Sequence, residues 1–325
     1  MRARILVIAG LLLPGPWPGG RAASASQEQA DPATGVPATD ELQEVLVSAR
    51  ELRYVAPTLR DRLGRIWAPV FINGQGPYRL VLDTGASHSA VIAEVAQELG
   101  LMPVDTSGVL LRGVTGSVRV PVVRAGSLTV GDLTLTDQLL PIVPDALGGA
   151  QGVLGVDGMG DKRIFIDFMN DRISITYSHG ARAPSGFITI PVRIDDRGLL
   201  RTQAYVGGVR TVIIIDTGGQ VSVGNPALKQ ALLHRPSEAG LHDVMIEGAT
   251  NDIRPGQSHV LPPLALGPAV IQGANIAFSD LPIFESWGFA QQPALLIGMD
   301  TLGLMDTLII DYRRQELQVR LRGQG

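Results

Sequence analysis

Short apolar segments separated by turn residues run through most of the chain, and this pattern predicts strands joined by hairpins. Apolar runs at 66–72 and 78–82 flank the stretch from Asn73 to Pro77. An Asn-Gly pair between two such runs is a strong hairpin signal. The segments at 110–123 and 127–140 are broken by glycines and predict two further hairpins. We therefore expect an all-β class, rich in strands and with only short helices.

Two short helices are expected. Apolar residues recur at helical spacing after residue 90, and Gly100 follows them where a C-terminal cap belongs: Val91, Ile92, Val95 and Leu99. Further along, Asn225 and Pro226 have the form of an N-cap followed by proline at the first helical position. This pair predicts a helix that continues to Leu232.

One short motif occurs twice, each time at the end of an apolar run. Asp83-Thr84-Gly85 ends the first run, and Asp216-Thr217-Gly218 ends the second, 216 − 83 = 133 residues later. A single copy would most simply be a β-turn in which the aspartate caps its own backbone. Two copies inside matching surroundings favour a shared function, because independent levels of pattern agree.

The surroundings of the two motifs match as well. The segment 153–157 matches 296–300, residues 166–168 match 310–312, and residues 113–115 match 248–250. Such self-similarity, with the same elements in the same order in both halves, indicates an internal repeat. We predict a duplication with its seam near residues 180–185, which gives one domain over 45–180 and a second over 181–325.

The N-terminus has the composition of a targeting segment. A basic start is followed by an apolar run at 5–13, too short to span a bilayer, and by small residues at 23–25. We predict a signal peptide over 1–25, a disordered linker over 26–44, and a periplasmic or secreted protein without a stable membrane anchor. The alternative is an uncleaved apolar N-terminus.

Composition excludes several other functions. The net charge of -4 and the lack of a basic run argue against nucleic acid as a partner. The chain has no cysteine, which excludes disulfides and thiolate metal sites. Its five histidines show no metal-binding spacing, so we expect neither a metal nor a cofactor. No Gly-x-Ser-x-Gly motif of a serine hydrolase occurs.

With these motifs, each half resembles a retropepsin-type aspartic protease domain, and the resemblance covers about residues 45–322. The stretch Asp83-Thr84-Gly85-Ala86-Ser87 is typical of bacterial members of that family. Two such domains in one chain would imitate the family's homodimer, as the two lobes of pepsin do. The resemblance implies two tandem acid-protease barrels related by a pseudo-twofold axis, and a monomer that acts as a pseudo-dimer on a peptide or protein substrate.

The resemblance also implies roles for particular residues. Asp83 and Asp216 would form the catalytic dyad and share one proton, because two carboxylates about 3 Å apart cannot both ionise. Thr84 and Thr217 would interlock through hydroxyl to backbone hydrogen bonds. The remaining loop residues would support the carboxylates: Gly85, Ala86, Gly218 and Gly219. Candidate flap residues that would close over the substrate are Gly113, Val114, Thr115, Gly116, Gly248, Ala249 and Thr250.

Three other repeated features have a structural interpretation. The flap segments are equally consistent with ordinary hairpin turns. Asp157 and Asp300 form another repeated pair, which we interpret as helix caps. Asp167 and Asp311 are interpreted as polar positions inside a buried strand pair.

The second motif departs from the first. It continues Gly219-Gln220 where the first continues Ala86-Ser87, and neither Ala86 nor Gly219 offers a hydroxyl beside the carboxylates. We therefore expect a pH optimum less acidic than that of pepsin.

The hypothesis is an exported aspartic endopeptidase. The alternatives are a non-catalytic peptide-binding or assembly protein that keeps the fold, and a site formed in trans between two chains.

Overall fold

The computed structural model describes residues 3–7, 65–104, 107–232 and 241–321. The predicted linker at 26–44, the start of the first domain at 45–64 and most of the predicted signal peptide lie outside these residues. The described part of the first half consists mainly of strands: β1 (Ala3–Val7), β2 (Trp67–Ile72), β3 (Gln75–Leu82), β4 (Ala90–Ile92), β5 (Val109–Arg112), β6 (Ser117–Val120), β7 (Val122–Val130), β8 (Leu133–Val143), β9 (Gly152–Leu154), β10 (Lys162–Asp167) and β11 (Arg172–Tyr177), with helix α1 (Ala93–Glu98).

The second half has the same character. Its strands are β12 (Ile188–Pro191), β13 (Arg193–Ile194), β14 (Leu200–Val206), β15 (Val209–Ile215), β16 (Val223–Gly224), β17 (His242–Gly248), β18 (Ile253–Val260), β19 (Leu264–Leu266), β20 (Ala269–Ile271), β21 (Asn275–Phe278), β22 (Ala294–Ile297), β23 (Met305–Asp311) and β24 (Glu316–Leu321). Its helices are α2 (Pro226–Leu232), α3 (Pro282–Ser286) and α4 (Met299–Leu302). The all-β class is confirmed.

The first lobe is a closed barrel with strand order β2-β3-β9-β4-β8-β7. Residues of β2 alternate between buried and partly buried positions, as expected for a strand with one face on a core. The predicted hairpin between β2 and β3 is present, and Asn73 and Gly74 turn it with φ of 51° and 76°. The two further hairpins are β5 with β6 and β7 with β8.

The second lobe belongs to an open sheet with strand order β1-β17-β18-β21-β16-β22-β15-β14-β19-β20, and β13 pairs with β14. Its strands repeat the pairings of the first lobe around the second Asp-Thr-Gly. Strand β1 lies inside the predicted signal peptide and pairs in parallel with β17.

One short strand threads between two others in each lobe. Strand β9 pairs in parallel with β3 and antiparallel with β4, and β22 does the same with β15 and β16. The backbone N–H of Asp83 donates to Leu154 O at 3.0 Å, and that of Asp216 donates to Ile297 O at 3.0 Å. These equivalent bonds fix the end of each aspartate-bearing strand.

A third sheet joins the lobes, with strand order β11-β10-β23-β24-β12. Strands β10 and β23 pair directly across the two halves. The predicted buried position of Asp311 in this strand pair is confirmed, and Arg163 Nη1 lies 3.0 Å from its Oδ2. Asp167 is different, because its carboxylate ends the strand by accepting the backbone N–H groups of Met169 and Asn170.

Helix α1 begins later than the sequence pattern predicts. Residues 90–92 form strand β4, all of it buried between β8 and β9. Burial on both sides gives a continuous apolar run, which periodicity alone does not distinguish from a helix. The end of the helix is as expected, since Gly100 has φ of 64° and its N–H donates to Gln97 O.

Helix α2 has the predicted cap. Asn225 Oδ1 accepts the backbone N–H of Leu228 at 2.9 Å, which is the usual N-cap bond to the third helical residue. None of the helices in the described part of the chain is both long and apolar enough to cross a membrane.

Candidate active site

The two repeated aspartates lie directly after β3 and β15, and both side chains are fully buried. Within each turn the glycine two residues on donates its backbone N–H to the carboxyl. Gly85 N is 2.8 Å from Asp83 Oδ1, and Gly218 N is 2.9 Å from Asp216 Oδ1. Each carboxyl is therefore held by its own turn in the same way.

The threonines join the two turns across the lobes. Thr84 Oγ1 donates to Ile215 O at 2.7 Å and accepts the N–H of Thr217 at 3.2 Å. Thr217 Oγ1 donates to Leu82 O at 2.6 Å and accepts the N–H of Thr84 at 3.1 Å. Four buried hydrogen bonds thus fix the backbone on either side of each aspartate relative to the other lobe.

Gly218 lets the second turn approach the first carboxyl closely. A Cβ at this position would lie 2.7 Å from Asp83 Oδ1 and closer still to Cγ and Oδ2. Any side chain here would displace Asp83, so glycine is required by contact between the two turns.

Burial raises the pKa of both carboxyls. Burial raises the pKa of Asp83 to about 6, although hydrogen bonds from its turn, Asp216 and the charge of Arg65 oppose the rise. Burial first, and then the charge and hydrogen bond of Asp83, raise the pKa of Asp216 well above its ordinary value.

The remaining carboxyl oxygens are the ones through which the two aspartates could share a proton. Oδ2 of Asp83 and Oδ2 of Asp216 are buried and receive no hydrogen bond from the other described groups. A proton on one carboxyl lets it donate to the other, and this bond contributes to both pKa shifts. With one proton and one negative charge, the pair can accept a proton from water and donate one to a carbonyl oxygen.

A second pair of repeated carboxyls supports the loops from behind. Ser89 Oγ donates to Asp157 Oδ1 at 3.0 Å and accepts the N–H of Gly155. In the second lobe Ser222 Oγ donates to Asp300 Oδ1 at 2.7 Å and accepts the N–H of Gly298 in the same way.

The interpretation of Asp157 and Asp300 as helix caps is therefore wrong. No helix begins at Asp157, and the N-cap of α4 is Gly298 without a side-chain cap bond. The serines were missed in the sequence, although both halves carry one six residues after the motif aspartate. That shared position was the available signal.

The altered loop of the second motif keeps the backbone geometry of the first. Val156 N donates to Ala86 O at 2.9 Å, and Met299 N donates to Gly219 O at 2.8 Å. The glycine at 219 therefore occupies the place of the alanine at 86 without loss of this contact.

The tips of the two predicted flap hairpins contact each other. A Cβ on Gly113 would lie 3.0 Å from the Thr250 side chain, and one on Gly248 would meet Thr115 Oγ1. Arg254 Nε also donates to Thr115 O at 2.8 Å. Within the first tip Gly113 N donates to Gly116 O, and within the second tip Asn251 N donates to Gly248 O. The apolar tip residues Val114 and Ala249 are fully buried.

The two carboxyls are closed off from solvent. Because Asp83 and Asp216 are both inaccessible to solvent, a molecule from the solvent reaches them only when the structure opens. Among the described side chains, no group of three or more His, Asp or Glu residues is arranged to hold a metal ion.

Fold and site together define the class of an aspartic protease with two pseudosymmetric lobes. A family model described as aspartyl protease matches residues 68–157 and again residues 202–301, together more than half of the chain. The chain therefore belongs to the aspartyl protease family, with two tandem retropepsin-like domains. A search of curated proteins found no match.

Replacing Thr217 with valine tests the threonine interlock. The change leaves the carbonyl of Leu82 and the N–H of Thr84 buried without partners, so we expect unfolding to become easier by about 2–4 kcal/mol. Thr217→Ser keeps the hydroxyl and is the matched control. Denaturant unfolding measures both, and equal stability of the two variants would contradict the role of the hydroxyl.

Replacing Arg254 with leucine tests the flap contact. Loss of one hydrogen bond between the tips, worth about 1 kcal/mol, should increase opening roughly fivefold. Hydrogen exchange of the amides at 113–116 measures this directly. Arg119→Leu is the control, because Arg119 donates to Ser107 O and Gly108 O within its own lobe. Similar exchange in the two variants would refute the contact's role.

Proposed function

We propose that this protein is an exported aspartic endopeptidase in which one chain supplies both catalytic carboxyls. The observation that carries the proposal is the pair of fully buried aspartates, Asp83 and Asp216, held against each other by the threonine interlock. A structural pair of acids gains nothing from burial side by side, since both the loss of hydration and mutual repulsion are unfavourable. A site that must hold one proton between two carboxyls, however, needs the two carboxyls to be buried and close together.

In the proposed reaction the singly protonated pair binds a water molecule and the scissile carbonyl. The ionised carboxyl removes a proton from the water as its oxygen attacks the carbonyl carbon, and the protonated carboxyl donates to the carbonyl oxygen. A proton then passes to the leaving nitrogen and the C–N bond breaks. The pair ends with one proton, as it began.

The flaps give the proposal a substrate class. A cleft between two β-rich lobes, closed by hairpin tips, suits an extended peptide that adds hydrogen bonds to strand edges. The apolar tip residues Val114 and Ala249, which are buried where the two tips meet, would instead contact the bound peptide. Opening of the flaps would admit the peptide, and closure would exclude bulk water.

The location is part of the proposal and rests on the N-terminus. The basic start, the apolar run at 5–13 and the small residues at 23–25 have the order of a secretory signal. A protein exported in this way would act in the periplasm or outside the cell. Because one chain carries both Asp-Thr-Gly motifs, we propose that it acts as a monomer.

Separate replacement of each aspartate tests the reaction. Asp83→Asn and Asp216→Asn should each lower kcat/KM on a peptide library by at least ~100-fold, because neither can share a proton as a carboxyl pair does. A statine-type transition-state analogue should inhibit the unaltered protein and lose affinity for both variants. Full activity in Asp216→Asn would rule out the one-chain dyad.

Two further outcomes distinguish the one-chain enzyme from the alternative hypotheses. A peptide-binding protein without catalysis would bind the library peptides but leave them intact. If the site formed in trans between chains, mixing the two single variants would restore activity. The one-chain proposal expects no restoration.

The pH dependence of activity follows from the raised pKa values. Activity should rise as the pair loses its first proton, with a limb near pH 6 set by Asp83, and fall when the second proton leaves at higher pH. A plot of kcat/KM against pH tests this. A profile that peaks near pH 2 would contradict it.

Stability should change with pH in the opposite sense to that of most acidic residues. Both pKa values are raised, so the folded state holds these protons more tightly than the unfolded chain, and stability falls as pH rises from about 4 through 6. The Asp83 shift alone corresponds to about 3 kcal/mol. In unfolding measurements Asp216→Asn should remove much of this fall and exceed the unaltered protein in stability at neutral pH.

A further inference from the structure

A fully buried arginine lies two residues before the start of β2. Arg65 is 0% exposed and is among the largest buried side chains of the described residues. Its Nη2 donates to Leu147 O at 2.5 Å. A guanidinium stays charged in a protein interior, so a buried arginine brings a permanent positive charge that must interact with nearby acceptors or anions.

The strand register places this charge at the first aspartate. In the hairpin of β2 and β3, Trp67 pairs with Val81 and Ala68 with Leu80. The pairing continues one step further, because Leu82 N donates to Ile66 O at 3.0 Å. The next residues in this register are Arg65 and Asp83, and directly opposed residues of an antiparallel pair project to the same face.

The second lobe has a different residue in the equivalent place. In the hairpin of β14 and β15, Arg201 pairs with Ile214 and Thr202 with Ile213. The same extension puts Leu199 opposite Asp216, and Leu199 is 1% exposed. Two half-sites with the same Asp-Thr-Gly turn therefore differ at this position, which holds a cation opposite Asp83 and an alkyl group opposite Asp216.

The other titratable groups near the pair do not cancel this difference. Asp216 faces Asp83 from the opposite turn, and Tyr312 lies near Asp83 from the end of β23 with a buried hydroxyl that has no partner among the described residues. Burial and the charge of Asp83 raise the pKa of Tyr312 well above its ordinary value, so it stays neutral. The charge of Arg65 opposes the burial-driven rise in the pKa of Asp83.

We propose that Arg65 is a positioning residue that places the negative charge of the aspartate pair on Asp83 and leaves the proton on Asp216. This inference deepens the proposed peptide hydrolysis and rests on it for its chemical meaning. Asp83 then accepts the proton when the water O–H bond breaks and the new O–C bond forms, and Asp216 donates its proton to the carbonyl oxygen. In the second step Asp83 gives its proton to the leaving nitrogen as C–N breaks, and one hydroxyl of the intermediate returns a proton to Asp216.

The experiment measures the two carboxyls one at a time, which removes their coupling. In Asp216→Asn only Asp83 titrates within the pair, and in Asp83→Asn only Asp216 does. Carbon-13 NMR of aspartate carboxyl carbons follows each ionisation and needs no catalysis. We expect the midpoint for Asp83 to lie below that for Asp216, and Arg65→Leu, which introduces the side chain of the second lobe, to raise the Asp83 midpoint by at least ~1 pH unit. Arg65→Lys should restore a midpoint closer to that of the unaltered sequence.

The control is a second arginine whose charge lies elsewhere. Arg163 pairs with buried Asp311 in the sheet that joins the lobes, so Arg163→Leu should reduce stability without moving the Asp83 midpoint. Thermal unfolding verifies that each variant is folded at the pH values used. Arg65→Met, which also removes the charge but keeps a long side chain, serves if Arg65→Leu does not fold.

Three outcomes decide the matter. Equal midpoints for Asp83 and Asp216, with Arg65 present, would overturn the inference. So would equal shifts from Arg65→Leu and Arg163→Leu, because these would reflect a general loss of packing. An inactive protein that shows the expected midpoints would overturn the proposed hydrolysis while supporting the charge placement. In an active enzyme the acid limb of kcat/KM should move up with the Asp83 midpoint.

Discussion

The whole molecule depends on the interlock of Thr84 and Thr217. It joins the lobes at the point where two acids meet, through four hydrogen bonds with no solvent access. The interlock fixes the backbone on either side of each carboxyl. Without such a constraint, repulsion between the buried aspartates would separate the turns, because burial strengthens every charge interaction.

Several layers of structure offset the cost of that burial. Each aspartate turn donates hydrogen bonds to its own carboxyl and to the threaded strand beneath it. A hydrogen-bonded serine and aspartate pair supports the loop that follows each turn. The sheet of β10 and β23 holds the lobes together at a distance from the site. The unfavourable burial of two carboxyls is thus confined to one place, and interactions elsewhere in the fold offset its cost.

The sequence predicted what depends on local chemistry or on repetition. The turn at Asn73, the cap at Asn225 and the doubled Asp-Thr-Gly could all be identified without coordinates. Positions defined by pairing across the fold could not. Residues 90–92 look helical by spacing and become a strand only because β8 and β9 flank them. Arg65 is a single arginine before a strand, and its meaning arises only when the hairpin register sets it opposite Asp83.

Duplication makes the two aspartates alike, whereas the chemistry needs them to differ. Burial raises both pKa values, and if nothing opposed the rise, both acids would keep their protons over the range in which a base is needed. A fixed positive charge beside one aspartate lowers the pKa of the first ionisation. The pKa of the second ionisation is still raised, because it would place two negative charges next to each other. The interval of pH in which the pair holds one proton becomes wider. A difference of one buried residue, Arg65 against Leu199, is sufficient for this, since a charge buried close to a carboxyl is only weakly screened.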